Sequence, residues 1–245
     1  MNNQEKDVTT HLSIIIPAYN EGQNLVAVHE EITQTMGANG WANPYELIIV
    51  DDGSWDDTGR IADDLADKNS TTQVIHHHVN QGLGSALRTG FSASQGQFVS
   101  WISADGEIDV EHIMDLLRVS NDADLVVSGA RLRVGIVAWY REIFTSVFIL
   151  MNRMILGFDP HQNSGVYVIR GCILRQLKFH TSTGMVNAEV FLQCVKRQLR
   201  IKTGPPLQAR QRLGGKSKVA NLPTILKICG ELIKLRLILF TDQET

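Results

Sequence analysis

Four short apolar runs, each closing at a turn rich in acids or glycine, set the strongest limit on how this chain can fold. Leu12 to Ile16, Tyr45 to Val50, Gln73 to His77 and Phe98 to Ile102 have the length and largely β-branched content of buried strands. Segments with helical spacing separate them. One follows Asn20, a candidate cap, and runs to about Met36. A second follows Asp56-Asp57-Thr58 and sets Ile61, Leu65 and Ala66 on one face, and a third opens at Gly82-Leu83-Gly84-Ser85 and runs to about Ser94. Strand and helix alternating four times predict an α/β fold, a doubly wound and mostly parallel sheet with right-handed crossovers. Ligands of such sheets bind outside the strands' carboxyl ends. Pro17 to Glu21, Asp51-Asp52, the glycine loop at Gly82 and the turn at Asp105 all follow strand ends, so these separated segments are predicted to converge on one edge.

The turn after Phe98 to Ile102 carries the clearest chemistry. Asp105, Glu107 and Asp109 alternate around Gly106, and carboxylates at a strand end suit a hard cation such as Mg²⁺ or Mn²⁺. The same residues also suit a solvated turn before a helix with an acidic first turn. Gly82-x-Gly84 is not a dinucleotide fingerprint, since Leu87 stands where the third glycine belongs, and no Walker lysine follows. His76, His77 and His78 alternate across a strand and cannot converge on one ion. Trp101 reads as core or cleft wall.

Further along, Asp124 to Ala130 reads as a strand followed by Arg131 and Arg133. Residues 135–158 are strongly apolar, with Trp139 and Tyr140 near the start and Arg141 and Arg153 inside, which fits a buried helix or one lying on a membrane surface. Asn163 to Arg170 is a turn into a strand, and Asn187 opens a helix through about Leu199. Arg210, Arg212, Lys216 and Lys218 surround Gly214-Gly215, a basic loop suited to phosphates. A last helix starts at Pro223 and ends near Phe240, with Lys227, Glu231 and Lys234 on one side and apolar residues over most of the rest. It is a candidate for contact with a membrane surface, a partner or the 136–157 segment.

Charge divides sharply along the chain. Residues 1–169 hold 9 Lys and Arg against 22 Asp and Glu, a balance of −13, whereas residues 170–245 hold 14 against 4, a balance of +10. An acidic half suits cations and a basic half suits phosphates, unless the halves abut and neutralise each other. Apolar residues at 43% and charged residues at 20% mark a globular chain. Cys172, Cys194 and Cys229 are widely spaced and form no metal or disulfide pattern, which fits a reducing cytoplasm. The first residues do not read as a signal peptide, no run is long enough to span a bilayer, and no nucleic-acid partner is expected.

Several of these segments together resemble the family 2 glycosyltransferases of GT-A fold, and within them the dolichol-phosphate mannosyltransferase-like enzymes. The resemblance covers roughly residues 12–218. It is carried by Ile-Ile-Ile-Pro-Ala-Tyr-Asn-Glu at 14–21, Ile-Ile-Val-Asp-Asp-Gly-Ser at 48–54, Asn-Gln-Gly-Leu-Gly-Ser-Ala at 80–86 and Arg212-x-x-Gly215-x-Ser217-Lys218. It implies a flexible N-terminus at 1–11, a GT-A domain at 12–220 and an amphipathic membrane-proximal or partner-binding helix and tail at 221–245. It also implies that Pro17, Ala18, Tyr19, Glu21, Val50, Asp51, Asp52, Gly82, Ser103, Ala104 and Asp105 bind the nucleotide sugar. Asp105 and Glu107 would hold Mg²⁺ or Mn²⁺. Arg131, Arg141, Arg212 and Lys218 would hold the acceptor phosphate, with Asp105, Arg131, Arg212 and Lys218 the catalytic set. Glu189 resembles an acid that orients the basic loop.

Three positions depart from the family pattern: Ser103 stands where the first acid of Asp-x-Asp belongs, His161 where an acid is expected, and Lys216 where Glu is usual. The resemblance implies an inverting transfer of mannose or glucose from a GDP- or UDP-linked donor to a polyprenyl or dolichyl phosphate. The enzyme would be peripheral at the cytoplasmic face of a membrane. The alternatives are a family 2 transferase acting on a sugar hydroxyl and a catalytically weak nucleotide-sugar-binding protein.

Overall fold

The computed structural model describes residues 11–38, 43–133, 153–154, 165–214 and 222–241, with side chains other than those of 130–133, 222–226 and 239–241. The strands are β1 (Leu12–Ala18), β2 (Tyr45–Asp51), β3 (Thr72–His76), β4 (Phe98–Trp101), β5 (Leu125–Arg133), β6 (Tyr167–Arg170) and β7 (Ile201–Ala209). The described helices are α1 (Gly22–Ala38), α2 (Thr58–Lys68), α3 (Leu83–Ala93), α4 (Val110–Arg118), the single turn α5 (Gly171–Leu174), α6 (Met185–Lys196) and α7 (Leu222–Thr241). The described strands form one seven-stranded sheet in the order β3-β2-β1-β4-β6-β5-β7. All neighbours are parallel except β6, which runs against both β4 and β5. The doubly wound, mostly parallel sheet expected from the sequence is the one observed.

Continuous apolar runs form the central strands because both faces of the sheet are covered. Ile14, Ile15, Ile16, Leu47, Ile48, Ile49 and Val50 are all fully buried. β1 continues through Pro17 to Ala18 instead of closing at the proline. The carbonyl of Ile15 accepts from Ile102 N–H at 2.9 Å on the β4 side, and that of Ala18 from Asp52 N–H at 2.8 Å on the β2 side. Alternation turns the nitrogen of Pro17 toward β4, beyond the last pair of that ladder at Ile15 and Trp101, where a missing N–H costs nothing.

β7 has no counterpart in the sequence reading, because Gly204-Pro205-Pro206 reads as a break. It survives as an edge strand whose register with β5 shifts on either side of Gly129. α7 packs on α6 through Leu232 and Leu235 against Met185 and Leu192. Glu231 is only 8% exposed, so it does not belong to a solvated stripe with Lys227 and Lys234. No described helix is long and apolar enough to cross a membrane.

Candidate active site

β1 to β4 are parallel, so the segments that follow them meet on one edge. These loops are stitched to each other. Asn20 N–H donates to Ser54 Oγ at 2.9 Å, Trp55 N–H to Asn20 Oδ1 at 3.0 Å, and Glu21 N–H to Thr58 Oγ1 at 2.8 Å. The expectation that Asn20 caps α1 fails, because its side chain serves the neighbouring loop and its φ is +50°. The carbonyl of Glu21 starts that helix, accepting from Asn24 and Leu25 N–H at 2.9 and 3.0 Å.

Asp51 and Asp52 close β2, and the pleat sends them to opposite sides. Each finds a histidine from the β3 side. Asp51 Oδ2 lies 3.0 Å from His76 Nδ1, and His76 Nε2 lies 3.0 Å from Asp63 Oδ1. A carboxylate at each nitrogen favours the imidazolium, and the pKa of His76 is raised, first by Asp51 and then by Asp63. Asp52 Oδ1 lies 2.6 Å from His77 Nδ1, whose Nε2 lies 2.9 Å from Thr89 Oγ1. Asp52 also accepts the N–H groups of Gln81 at 2.9 Å and Gly82 at 2.7 Å, which pins the glycine loop to the end of β2. His76 and His77 therefore buttress the acid pair, one on each acid.

At the fourth strand end Ser103, Asp105, Glu107 and Asp109 are half-buried, while Ala104, Gly106 and Ile108 between them are buried. Asp105 Oδ1 accepts Glu107 N–H at 3.1 Å in a tight turn, and Gly106 supplies the φ of +74° that the turn requires. Asp109 serves the helix: its Oδ1 accepts Glu111 N–H at 3.0 Å and caps α4.

The basic segment after β7 folds across this turn and α1. Arg210 N–H donates to Glu107 O at 2.9 Å and Leu213 N–H to Asp105 O at 3.1 Å. The Arg210 guanidinium reaches Glu31 Oε1 at 3.0 Å and pairs with Asp109. Arg212 pairs with Glu21, lies 3.6 Å from Asp105 Oδ2 and donates from Nε to Gly214 O at 2.8 Å. Asn24 Nδ2 completes the cluster, donating to Glu21 Oε2 at 2.8 Å and to Gly214 O at 3.3 Å. Arg212 is thus a largely buried cation set between carboxylates from two strand ends. Part of the charge division along the chain is neutralised here.

Among the other expected site residues, Pro17, Tyr19 and Gly82 are half-buried on this edge. Ala18, Val50 and Ala104 are buried beneath it. Arg131 is described by its backbone, in β5. Arg141 and Lys218 lie outside the described residues, as do Trp139, Tyr140, His161, Lys216 and most of the apolar segment 135–158. Glu189 is 1% exposed and accepts from the backbone and side chains of His180 and Thr181. It orients that loop and does not reach the described part of the basic segment. The sequence reading did not pick out Asn24, Glu31 or Asp63. The signal for the buttresses was available, since a histidine pair stands in register with an acid pair on the adjacent strand.

A mostly parallel sheet with acids, a glycine loop and a basic segment gathered at one carboxyl edge defines the class: an α/β protein whose candidate ligand site lies outside its strand ends. More specifically, the model of glycosyl transferase family 2 matches residues 13–178, and the chain belongs to that family. Its relatives include an undecaprenyl-phosphate 4-deoxy-4-formamido-L-arabinose transferase of Serratia proteamaculans, 29% identical over 72% of this chain and 51% of the relative. The dolichol-phosphate mannosyltransferase of Pyrococcus furiosus is 31% identical over 59% and 41% respectively. The human dolichyl-phosphate beta-glucosyltransferase is 32% identical over 46% and 37%. The chain therefore spans about half or less of these relatives. Among solved structures, glucosyl-3-phosphoglycerate synthase of Mycobacterium tuberculosis, in complex with Mn²⁺, UDP and glucosyl-3-phosphoglycerate, has the same fold, with a TM-score of 0.63 and 21% identity over 94% of this chain and 80% of that one.

Proposed function

We propose that this chain transfers a sugar, mannose or glucose, from a GDP- or UDP-linked donor to a polyprenyl or dolichyl phosphate. The observation that supports this most is the meeting of the Asp105 turn with Arg212 at the carboxyl edge, in a chain whose curated relatives are named for polyprenyl-phosphate acceptors. The donor would lie across the ends of β1, β2 and β4. Its diphosphate would face Asp105 and Arg212.

A divalent ion fits this edge in one form. No group of three or more His, Cys, Asp or Glu side chains stands ready to hold a metal among the described residues. One or two carboxylates suffice when the substrate's own phosphates supply the remaining oxygens, and Asp105 and Glu107 are such a pair. Mg²⁺ or Mn²⁺ held there would act as a Lewis acid toward the departing diphosphate. Arg212 would turn from Asp105 to the diphosphate and carry part of its charge. Arg131, Arg141 and Lys218 would hold the acceptor phosphate. That phosphate has a second pKa of about 6 and is mostly dianionic at neutral pH, so no general base is needed. Displacement from the opposite face of the sugar inverts its configuration.

Peripheral contact with the cytoplasmic face of a membrane is part of the same proposal. Ile233 and Leu237 on α7 are exposed at 56% and 59%, and Lys234 and Arg236 beside them suit anionic headgroups. The test is transfer of labelled mannose or glucose to polyprenyl phosphate in anionic vesicles. Transfer is expected in wild type and lost in Asp105→Asn. Transfer only to a sugar hydroxyl would move the acceptor to the alternative class, and nucleotide binding without turnover would identify a binding protein.

A further inference from the structure

His180 to Thr183 have no regular structure, yet a carboxylate claims every main-chain N–H among them. Glu189 on α6 accepts from His180 N–H at 2.8 Å through Oε1, which also lies 2.8 Å from His180 Nδ1. Its Oε2 accepts from Thr181 N–H at 3.1 Å and from the Thr181 hydroxyl at 2.7 Å. Glu231 on α7 repeats the pattern. Its Oε1 accepts from Ser182 N–H at 2.8 Å and the Ser182 hydroxyl at 3.0 Å, and its Oε2 from Thr183 N–H at 3.2 Å and the Thr183 hydroxyl at 2.5 Å. Lys234, one turn further on, donates to His180 O at 3.1 Å. A buried carboxylate is costly unless its lone pairs are filled, and here each acid fills them from two consecutive residues.

This strap supports the glycine loop. Gly84 N–H donates to Ser182 O at 2.9 Å. A Cβ on Gly82 would fall 2.9 Å from Ser182 O, and one on Gly84 would fall 2.5 Å from both Ser182 C and Thr183 O. Gly82 N–H in turn donates to Asp52. A chain of hydrogen bonds and close backbone contacts thus runs from Glu231 through the strap and the glycine loop to the end of β2.

We propose that Glu231 is a positioning residue for nucleotide-sugar binding. It sets the height of the α3 start at the donor edge, so α7 belongs to the donor-binding apparatus as well as to any lipid-facing surface. The inference rests on the donor reading given above.

Glu231→Gln keeps the side chain's shape but presents an amide N–H to strap groups that also donate. Leu237→Ala trims the exposed face of α7 away from the clamp. Thr183→Val removes one hydroxyl donor and gives a smaller shift in the same direction, which decides the matter where Glu231→Gln does not fold. Calorimetric titration of the full chain with UDP and with GDP, each with Mn²⁺, reads affinity. Amide hydrogen exchange reads the glycine loop without any ligand. Glu231→Gln is expected to weaken nucleotide binding on the order of ten-fold and to speed exchange at the Gly84 amide. Leu237→Ala is expected to leave both near wild type. Equal effects in the two variants, or unchanged Gly84 exchange in Glu231→Gln, overturn the proposal. Faster exchange with unchanged affinity overturns the link to the donor. Failure of wild type to bind either nucleotide overturns the donor reading itself, and the exchange result still decides whether Glu231 sets the glycine loop.

Discussion

Gly84→Ala separates local preference from tertiary contact at the centre of this edge. In an isolated helix alanine is better than glycine by about 1 kcal/mol, so helix propensity alone predicts stabilisation. The structure predicts the reverse. The new methyl carbon would sit 2.5 Å from Ser182 C and Thr183 O and 2.8 Å from Ser182 O, all main-chain atoms. Strap and loop would have to part by most of an ångström. That movement strains the Gly84 to Ser182 hydrogen bond, worth about 1 kcal/mol, and pulls against the Glu231 clamp, where each bond to a charged acceptor is worth roughly 1.5–3 kcal/mol. Losing the first and one of the second, less the helix gain, leaves a net destabilisation of about 2 kcal/mol. Urea denaturation followed by circular dichroism measures it, with the m-value serving to check that the unfolded state is unchanged. Gly230→Ala is the control. It lies inside α7 with nothing within 4 Å of its added methyl, so it should gain up to about 1 kcal/mol. A Gly84→Ala protein as stable as wild type would refute the reasoning, because the strap would then be free to move.

Two further outcomes concern charge. The raised pKa of His76, held by Asp51 and then Asp63, means that its contribution is fully present below the ordinary value of 6.5 and is lost as the pH rises through the raised value. The side chain is 43% exposed, so screening leaves a few tenths of a kcal/mol. The urea midpoint of wild type should fall slightly through that window, and His76→Gln should abolish the slope. Asp124 is shifted the other way. Its pKa is lowered, first by the hydrogen bond from Arg200, so its contribution is present above the ordinary value of 3.8 and is lost as the pH falls below it. Asp124→Asn should flatten the acid limb of the stability profile, and an unchanged limb would show that the pair contributes nothing.

The β1 to β4 half of the fold was legible because each strand is a continuous apolar run closed by a turn residue, and the observed bounds differ from the expected ones by a residue or two. β7 was not legible, because its prolines are tolerated only at a sheet edge and edge position is a property of the finished sheet. Glu231 misled for a related reason. Lys227, Glu231 and Lys234 have the spacing of a polar stripe, and spacing cannot tell a solvated acid from one buried under a strap of donors. The acids and cations that meet at this edge stand out in the sequence as residue types, but their pairings do not. Arg212 and Glu21 stand 191 positions apart, and only the folded sheet shows that the cation meets a carboxylate of its own chain.

That pairing bears on the neutral Ser103, which leaves the turn one charge short of the family pattern. Arg212 lies 3.6 Å from Asp105 Oδ2, and Asp105 Oδ1 is engaged by Glu107 N–H. A divalent ion arriving alone would meet a guanidinium at the same carboxylate, and like charges at that separation repel. A donor diphosphate would change the balance, because it would bring anionic oxygens that both cations could share and would draw Arg212 away from Asp105. On the proposed reading, ion and donor therefore enter together, with the ion's affinity set mainly by the phosphates. On that reading the neutral Ser103 would leave the turn dependent on the donor's phosphates for holding an ion.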